Sequence, residues 1–160
     1  MAVIPWEVYS KVEWHLHNRA KLLEMAVNKA RQIESDAMNG SGACVDRGSP
    51  RGVSKHADPT ALKAMAIIRG EKELEKARLW GFVTDSTFAY FDGTVIGEAA
   101  LRYYGQNTTI LDVAASLGVD RQTIRNYRDK FVCVCALYAS EKGLIRLNGK
   151  EPRYAKKIGE

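Results

Sequence analysis

The sequence predicts an all-α protein: a long helical arm followed by a helix-turn-helix domain, with a short C-terminal β-hairpin as its one strand-like signal. Three observations lead there. Apolar residues recur at steps of 3 and 4 in most segments, the spacing that lines one helix face. No alternating apolar–polar run occurs before residue 144. And Gly118 separates two short amphipathic patterns in "TILDVAASLGVDRQTIRNYRDKF", residues 109–131.

Composition limits the class. The chain has 160 residues, 46% of them apolar and 27% charged, enough to bury a real core. No apolar run approaches the roughly 18–20 residues of a membrane span. The start "MAVIPWEVYSKVEWHLH" carries acid and Trp in place of an apolar signal core. The expectation is a soluble cytoplasmic protein with no membrane partner. Cys44, Cys133 and Cys135 form no disulfide framework. Side chains two apart on a helix diverge, so Cys133 and Cys135 with His15, His17 and His56 lack metal-site spacing. No metal or cofactor is expected. The formal charge is +5, and residues 105–160 hold ten Lys/Arg against six Asp/Glu, so the last third suits a polyanion.

The first element, over residues 1–38, is a helical arm. Its stripe is Tyr9, Val12, Leu16, Ala20, Leu23, Val27, Ala30 and Ile33, and a helix this long needs a partner helix or a second subunit. Residues 39–57, "NGSGACVDRGSPRGVSKHA", read as a glycine-rich basic loop without a nucleotide-binding signature. Residues 58–92 form a helical packing segment. Asp58 suits the N-cap and Pro59 the first helical position. Leu62, Met65, Ala66, Leu74 and Ala77 continue the helix, with Gly70 as its weak point. "EKELEK" reads as a solvated face. A separate short helix is expected over about 84–90, then a turn at "FDGT" and a helix over 95–104.

Residues 93–143 contain the helix-turn-helix. Thr109 with Asp112 makes a capping box. Ile110, Val113, Ala114 and Leu117 form the inner face of the first helix, Gly118 the left-handed stop, and Asp120 the cap of the second. The second helix turns Ile124, Tyr127, Phe131 and Val134 inward. Ala114, Gly118 and Ile124, at offsets of 4 and 6, occupy the positions where this motif demands a small residue, a turn and a plug.

In such a motif the second helix enters the DNA major groove. Its polar start makes Arg121, Gln122, Arg125, Asn126 and Asp129 the candidate base readers: Arg matches guanine, and Gln or Asn matches adenine. Arg128 and Lys130 are candidate phosphate contacts, with the Thr108 and Thr109 hydroxyls at the start of the preceding helix. Residues 144–160 are either a small wing, turning at Asn148–Gly149, or a basic tail. In both cases Arg146, Lys150, Arg153, Lys156 and Lys157 add phosphate affinity. No acidic cluster and no Ser/His/Asp set suggests an enzyme. Asp85, Asp92 and Glu98 read as caps and surface residues.

The order of these features resembles the phage RinA/ArpU-type transcriptional regulators. "ADPTALKAMAI" resembles their "SDPT…A" signature, with Ala57 in place of Ser. "EAALRYYGQNTTILDVAASLGVDRQTIRNYRDKF" resembles their sigma-region-4-like helix-turn-helix, including the "LRYY" before it. The likeness covers roughly residues 6–140. It implies a phage or prophage regulator that binds promoter or operator DNA and activates late packaging and structural genes. Host RNA polymerase is a further expected partner, and homo-oligomerisation is expected because one helix-turn-helix reads too few base pairs to find a single site. The alternative is a small terminase subunit-like packaging adaptor. Adaptors of that kind usually carry the motif near the N-terminus, and here it is C-terminal.

Overall fold

The computed structural model describes residues 4–39 and 59–147. Among them are five α-helices and no strand: α1 (Trp6–Asn39), α2 (Pro59–Tyr90), α3 (Val95–Ala100), α4 (Ile110–Leu117) and α5 (Arg121–Glu141). The expected all-α class is observed. The glycine-rich loop and the Asn148–Gly149 hairpin lie outside the described residues. Among the described residues, no helix is long and apolar enough to cross a membrane.

The chain divides into two compact units. The first takes its described residues from Met1–Ala20 and Arg78–Glu160. The front of α1 is therefore part of the core that holds α4 and α5, so of the partner helix or second subunit that its stripe requires, the partner helix is observed there. Ile4, Tyr9, Val12 and Leu16 are buried together with Trp80 and Val83 of α2, Tyr104, and Phe131, Val132, Cys135, Ala136 and Ala139 of α5. Phe131, fully buried, has the rings of Phe88, Phe91 and Tyr104 within 4.8, 5.5 and 5.9 Å of its own centroid. Burying a side chain of this size contributes about 1.5–3 kcal/mol. The His15 and Trp80 rings stack at 3.8 Å.

The helix α2 does not break before residue 84. Gly81 costs a helix only about 1 kcal/mol, and the buried Trp80 and Val83 on either side outweigh it. The buried hydroxyls of Thr84 and Thr87 stay inside the helix, donating to the Gly81 and Val83 carbonyls, both at 2.8 Å. The "FDGT" turn follows. Thr94 then caps α3: its hydroxyl accepts from the Gly97 N–H at 3.1 Å and donates to the Phe91 carbonyl at 2.7 Å. The expected single helix over 95–104 ends in a π-helical turn, Leu101–Gly105, which follows α3 directly. Past α5, Gly143 adopts a positive φ and Ile145 returns to the core, so the segment starting at residue 144 is anchored at its beginning.

The second unit, Lys21–Ala77, takes in the rear of α1 and the front of α2. The two run antiparallel, with Lys29 paired to Glu73 at 2.6 Å and Ile33 meeting Gly70. A Cβ at position 70 would lie 2.7 Å from the Ile33 Cδ1, so the glycine admits that side chain between the helices. What the sequence marks as a weak point in α2 is where the Ile33 side chain of α1 meets its backbone.

Candidate nucleic-acid interface

The helix-turn-helix is fixed at both helix starts and at the turn. Thr109 caps α4, its hydroxyl accepting from the Asp112 N–H at 3.3 Å and donating to the Asp112 carboxylate at 2.7 Å. Gly118 has φ 65° and ψ 29°, the left-handed conformation that side chains with a Cβ avoid. Asp120 caps α5, accepting from the Thr123 N–H and hydroxyl, both at 2.8 Å. These bonds, the Thr123 N–H first, hold the Asp120 carboxyl below its ordinary pKa. Between the helices Ala99, Val113, Ala114 and Ile124 form a second buried cluster, with Leu117, Val119 and Tyr127 packed against it. Ala114 lies where α5 crosses, and Ile124 fills the gap, as the spacing requires.

With Ile124 pinned inward, the first turn and a half of α5 faces solvent on its other side. Arg121, Gln122, Arg125 and Asn126 are all exposed. The Gln122 amide donates to the Asn126 side-chain oxygen at 3.2 Å, so two amides one turn apart present themselves as a pair. Two guanidiniums and two amides on one exposed face make a hydrogen-bonding surface of the kind that reads base edges.

Two of the sequence-derived site residues are not on that face. The Tyr9 hydroxyl donates to the Asp129 carboxylate at 2.7 Å, which removes Asp129 from the base-reading set. Arg128 lies with its guanidinium 3.5 Å from Glu13, 3.7 Å from Asp129 and 5.9 Å from the centre of the Tyr9 ring. The side chains of Arg128 and Glu13 are only 25% and 21% exposed, so this arginine is an internal tie between α5 and α1 rather than a phosphate contact. The physical reason is helical register. Arg128 lies four and eight residues before Val132 and Ala136, on a strip that is fully buried further along. The inner face of α5 runs through Ile124, Phe131, Val132, Cys135, Ala136 and Ala139, and Val134 is only half-buried.

The remaining candidates divide. The Thr108 hydroxyl donates to the Arg102 carbonyl at 2.6 Å, and that of Thr109 is engaged with Asp112, so both are committed within the fold. Lys130 is half-buried and Arg146 is exposed. Lys150, Arg153, Lys156 and Lys157 lie outside the described residues. Asp85 pairs with Arg19, Glu98 pairs with Arg102 at 2.6 Å, and Asp92 accepts from the Gly93 N–H at 3.1 Å. Among the described residues, no group of three or more His, Cys, Asp or Glu side chains is placed to share a metal ion.

Sequence reasoning missed the cluster that ties α5 to α1: Tyr9, Glu13, Arg128 and Asp129, with Tyr103 and Tyr104 beside them. Burial, followed by the bond to Asp129, pushes the Tyr9 phenol well above its ordinary pKa, and burial does the same to Tyr104. Both phenols are neutral across the physiological range. The readable signal was the placing of Tyr9, Val12 and Glu13 on one strip of α1, with Glu13 as the charge that Arg128 requires. Comparison with known proteins returned no matching family model, no matching curated protein and no matching solved structure.

Proposed function

We propose that the chain is a sequence-specific double-stranded DNA-binding transcriptional regulator. One observation carries this reading. Arg121, Gln122, Arg125 and Asn126 stand exposed on a helix start whose backbone is fixed by the Asp120 cap, the Gly118 turn and the buried Ile124. Side chains meant to read base edges gain from such rigidity, because less freedom is lost on binding. The positive balance of residues 105–160 adds a term that does not depend on sequence.

The likeness of the "DPT" and "LRYY" segments to RinA/ArpU-type regulators supports a narrower version. In it the protein is of phage or prophage origin, works in the cytoplasm of a bacterial host as a homo-oligomer, and contacts host RNA polymerase to activate late genes. Arg121, Gln122, Arg125 and Asn126 contact bases, and Lys130 and Arg146 contact phosphates.

Selection from a randomised duplex pool tests the reading. The expected result is a recurrent sequence, bound at physiological salt at least about 1000-fold more tightly than its scrambled version. A pool that stays random after repeated rounds refutes sequence-specific binding. Footprinting of the selected sequence in its genome then separates regulator from packaging adaptor, since the regulator protects a promoter and the adaptor a packaging start.

A further inference from the structure

The exposed strip of α5 ends at a charge of the wrong sign for a polyanion. Seven residues make nearly two helical turns, with a drift of only about 20°. Asp129 therefore returns to the angular position of Gln122, between the strips of Arg125 and Asn126. Seven residues further on, Ala136 is fully buried, so Asp129 stands where the exposed strip passes into the core. Its side chain is still 29% exposed. Left to extend along the strip, its carboxylate would stand beside the exposed Arg125. There it would match only the amino group of cytosine, and would oppose the acceptors of guanine and thymine and the charge of every phosphate.

We propose that Tyr9 is a positioning residue for DNA binding, whose phenol hydroxyl holds the Asp129 carboxylate off the duplex. The inference rests on the DNA-binding reading and adds to it a residue on α1, 120 positions from the one it controls. The Tyr9 hydroxyl donates to the Asp129 Oδ1 at 2.7 Å, in a partly buried bond. The Arg128 Nε lies 3.7 Å from the same oxygen. A neutral donor and a cation thus draw the carboxylate toward α1 and away from the strip. The Tyr9 ring is itself held in place. The Trp6 ring stacks on it at 5.5 Å and 11°, and the Arg128 guanidinium lies 5.9 Å from its centre. Burial keeps the phenol protonated, and so a donor, well above neutral pH. Packing α1 into the core requires only the buried ring; the hydroxyl is what Asp129 uses.

The test is duplex binding by the full chain, with Kd measured at about 50 and about 200 mM salt. Tyr9→Phe is expected to weaken binding about 10-fold at the lower salt. The loss should shrink at the higher salt, where repulsion is screened. Adding Asp129→Asn to Tyr9→Phe is expected to restore Kd to within about twofold of wild type. Asp129→Asn alone is expected to leave Kd within about twofold, because the wild-type carboxylate does not face the duplex. That single variant decides the matter if circular dichroism shows Tyr9→Phe to be unfolded. A folded Tyr9→Phe that binds like wild type overturns the proposal. So does a loss that Asp129→Asn fails to restore, which would make Tyr9 a purely structural residue, and so does an Asp129→Asn variant whose Kd moves about 10-fold in either direction. Phosphate repulsion does not depend on base sequence, so the comparison is made on a random duplex as well as a selected one. A pool that stays random therefore refutes sequence-specific reading alone, while the variants decide the role of Tyr9. A wild-type chain that binds no duplex at all ends both.

Discussion

Leu16 and Leu23 occupy equivalent places, two turns apart, on the apolar stripe of α1, and sequence periodicity gives no reason to separate them. The structure separates them sharply, with Leu16 4% exposed in the core of the first unit and Leu23 40% exposed in the second. Replacing Leu16 by Ala deletes three buried carbons. At about 0.8 kcal/mol for each, the transfer loss is about 2.4 kcal/mol. Imperfect collapse around Val12, Trp80 and Val83 adds a cavity term, giving about 3–4 kcal/mol in all. In a chain of this length each kcal/mol moves the melting midpoint by about 2–4 °C, so Leu16→Ala should lower Tm by roughly 6–15 °C. Leu23→Ala removes surface that is already largely wet and should cost about 1 kcal/mol or less in the fold of a single chain. Urea titration followed by circular dichroism, at protein concentrations low enough to keep the chain monomeric, gives both values. Equal losses for the two variants, or a small loss for Leu16→Ala, would mean that the front of α1 is not part of the helix-turn-helix core.

The other predictions concern the turn, the internal tie, the titrating core and the reading face. Gly118→Val has no steric clash to overcome, since nothing lies within 4 Å of the added Cβ. Its cost is backbone strain of about 1–2 kcal/mol or more, seen as a lower urea midpoint, and a native midpoint would remove the left-handed assignment. Arg128→Ala leaves Glu13 and Asp129 without their counter-charge and should destabilise the fold by about 2–3 kcal/mol; an unchanged midpoint together with weakened DNA binding would return Arg128 to the phosphate contacts. Burial raises the Tyr9 and Tyr104 phenols and pushes the Cys135 thiol up to about 11. These groups favour the fold fully below the unfolded values, about 9 for the thiol and 10 for the phenols, and the stability is lost as pH rises through the folded values. The urea midpoint should therefore fall from about pH 9 upward, and less steeply in Tyr9→Phe; a midpoint flat to pH 11 contradicts this. Arg125→Ala should cost about 1–3 kcal/mol at one base position of a selected duplex, and equal losses on selected and scrambled DNA would make Arg125 a phosphate contact.

The helix-turn-helix was the most legible part of the chain, because each of its positions is set by a local rule. Thr109 and Asp120 are caps, Gly118 has the left-handed angle, and Ala114 and Ile124 differ in size for a steric reason, all within sixteen residues. What the sequence concealed depends on contacts between distant segments. Nothing near residue 9 says that its hydroxyl will meet residue 129, so Asp129 and Arg128 read as groove residues when only their own helix was considered. The long stripe on α1 was visible, but its division at about residue 20 was not, because periodicity is blind to what packs against it. The continuity of α2 through Gly81 was likewise decided by the burial of Trp80 and Val83, where local propensity pointed to a break.

The helix α5 divides its labour along its length. From Phe131 onward its inner strip is held by the core, while Arg121, Gln122, Arg125 and Asn126 touch little of the fold. Exchanging those four residues should cost stability only within about 0.5 kcal/mol each. Under the proposed function, DNA specificity can therefore drift, or be reprogrammed in the laboratory, at four sites without repacking the protein, and a library restricted to them samples new targets on an unchanged scaffold.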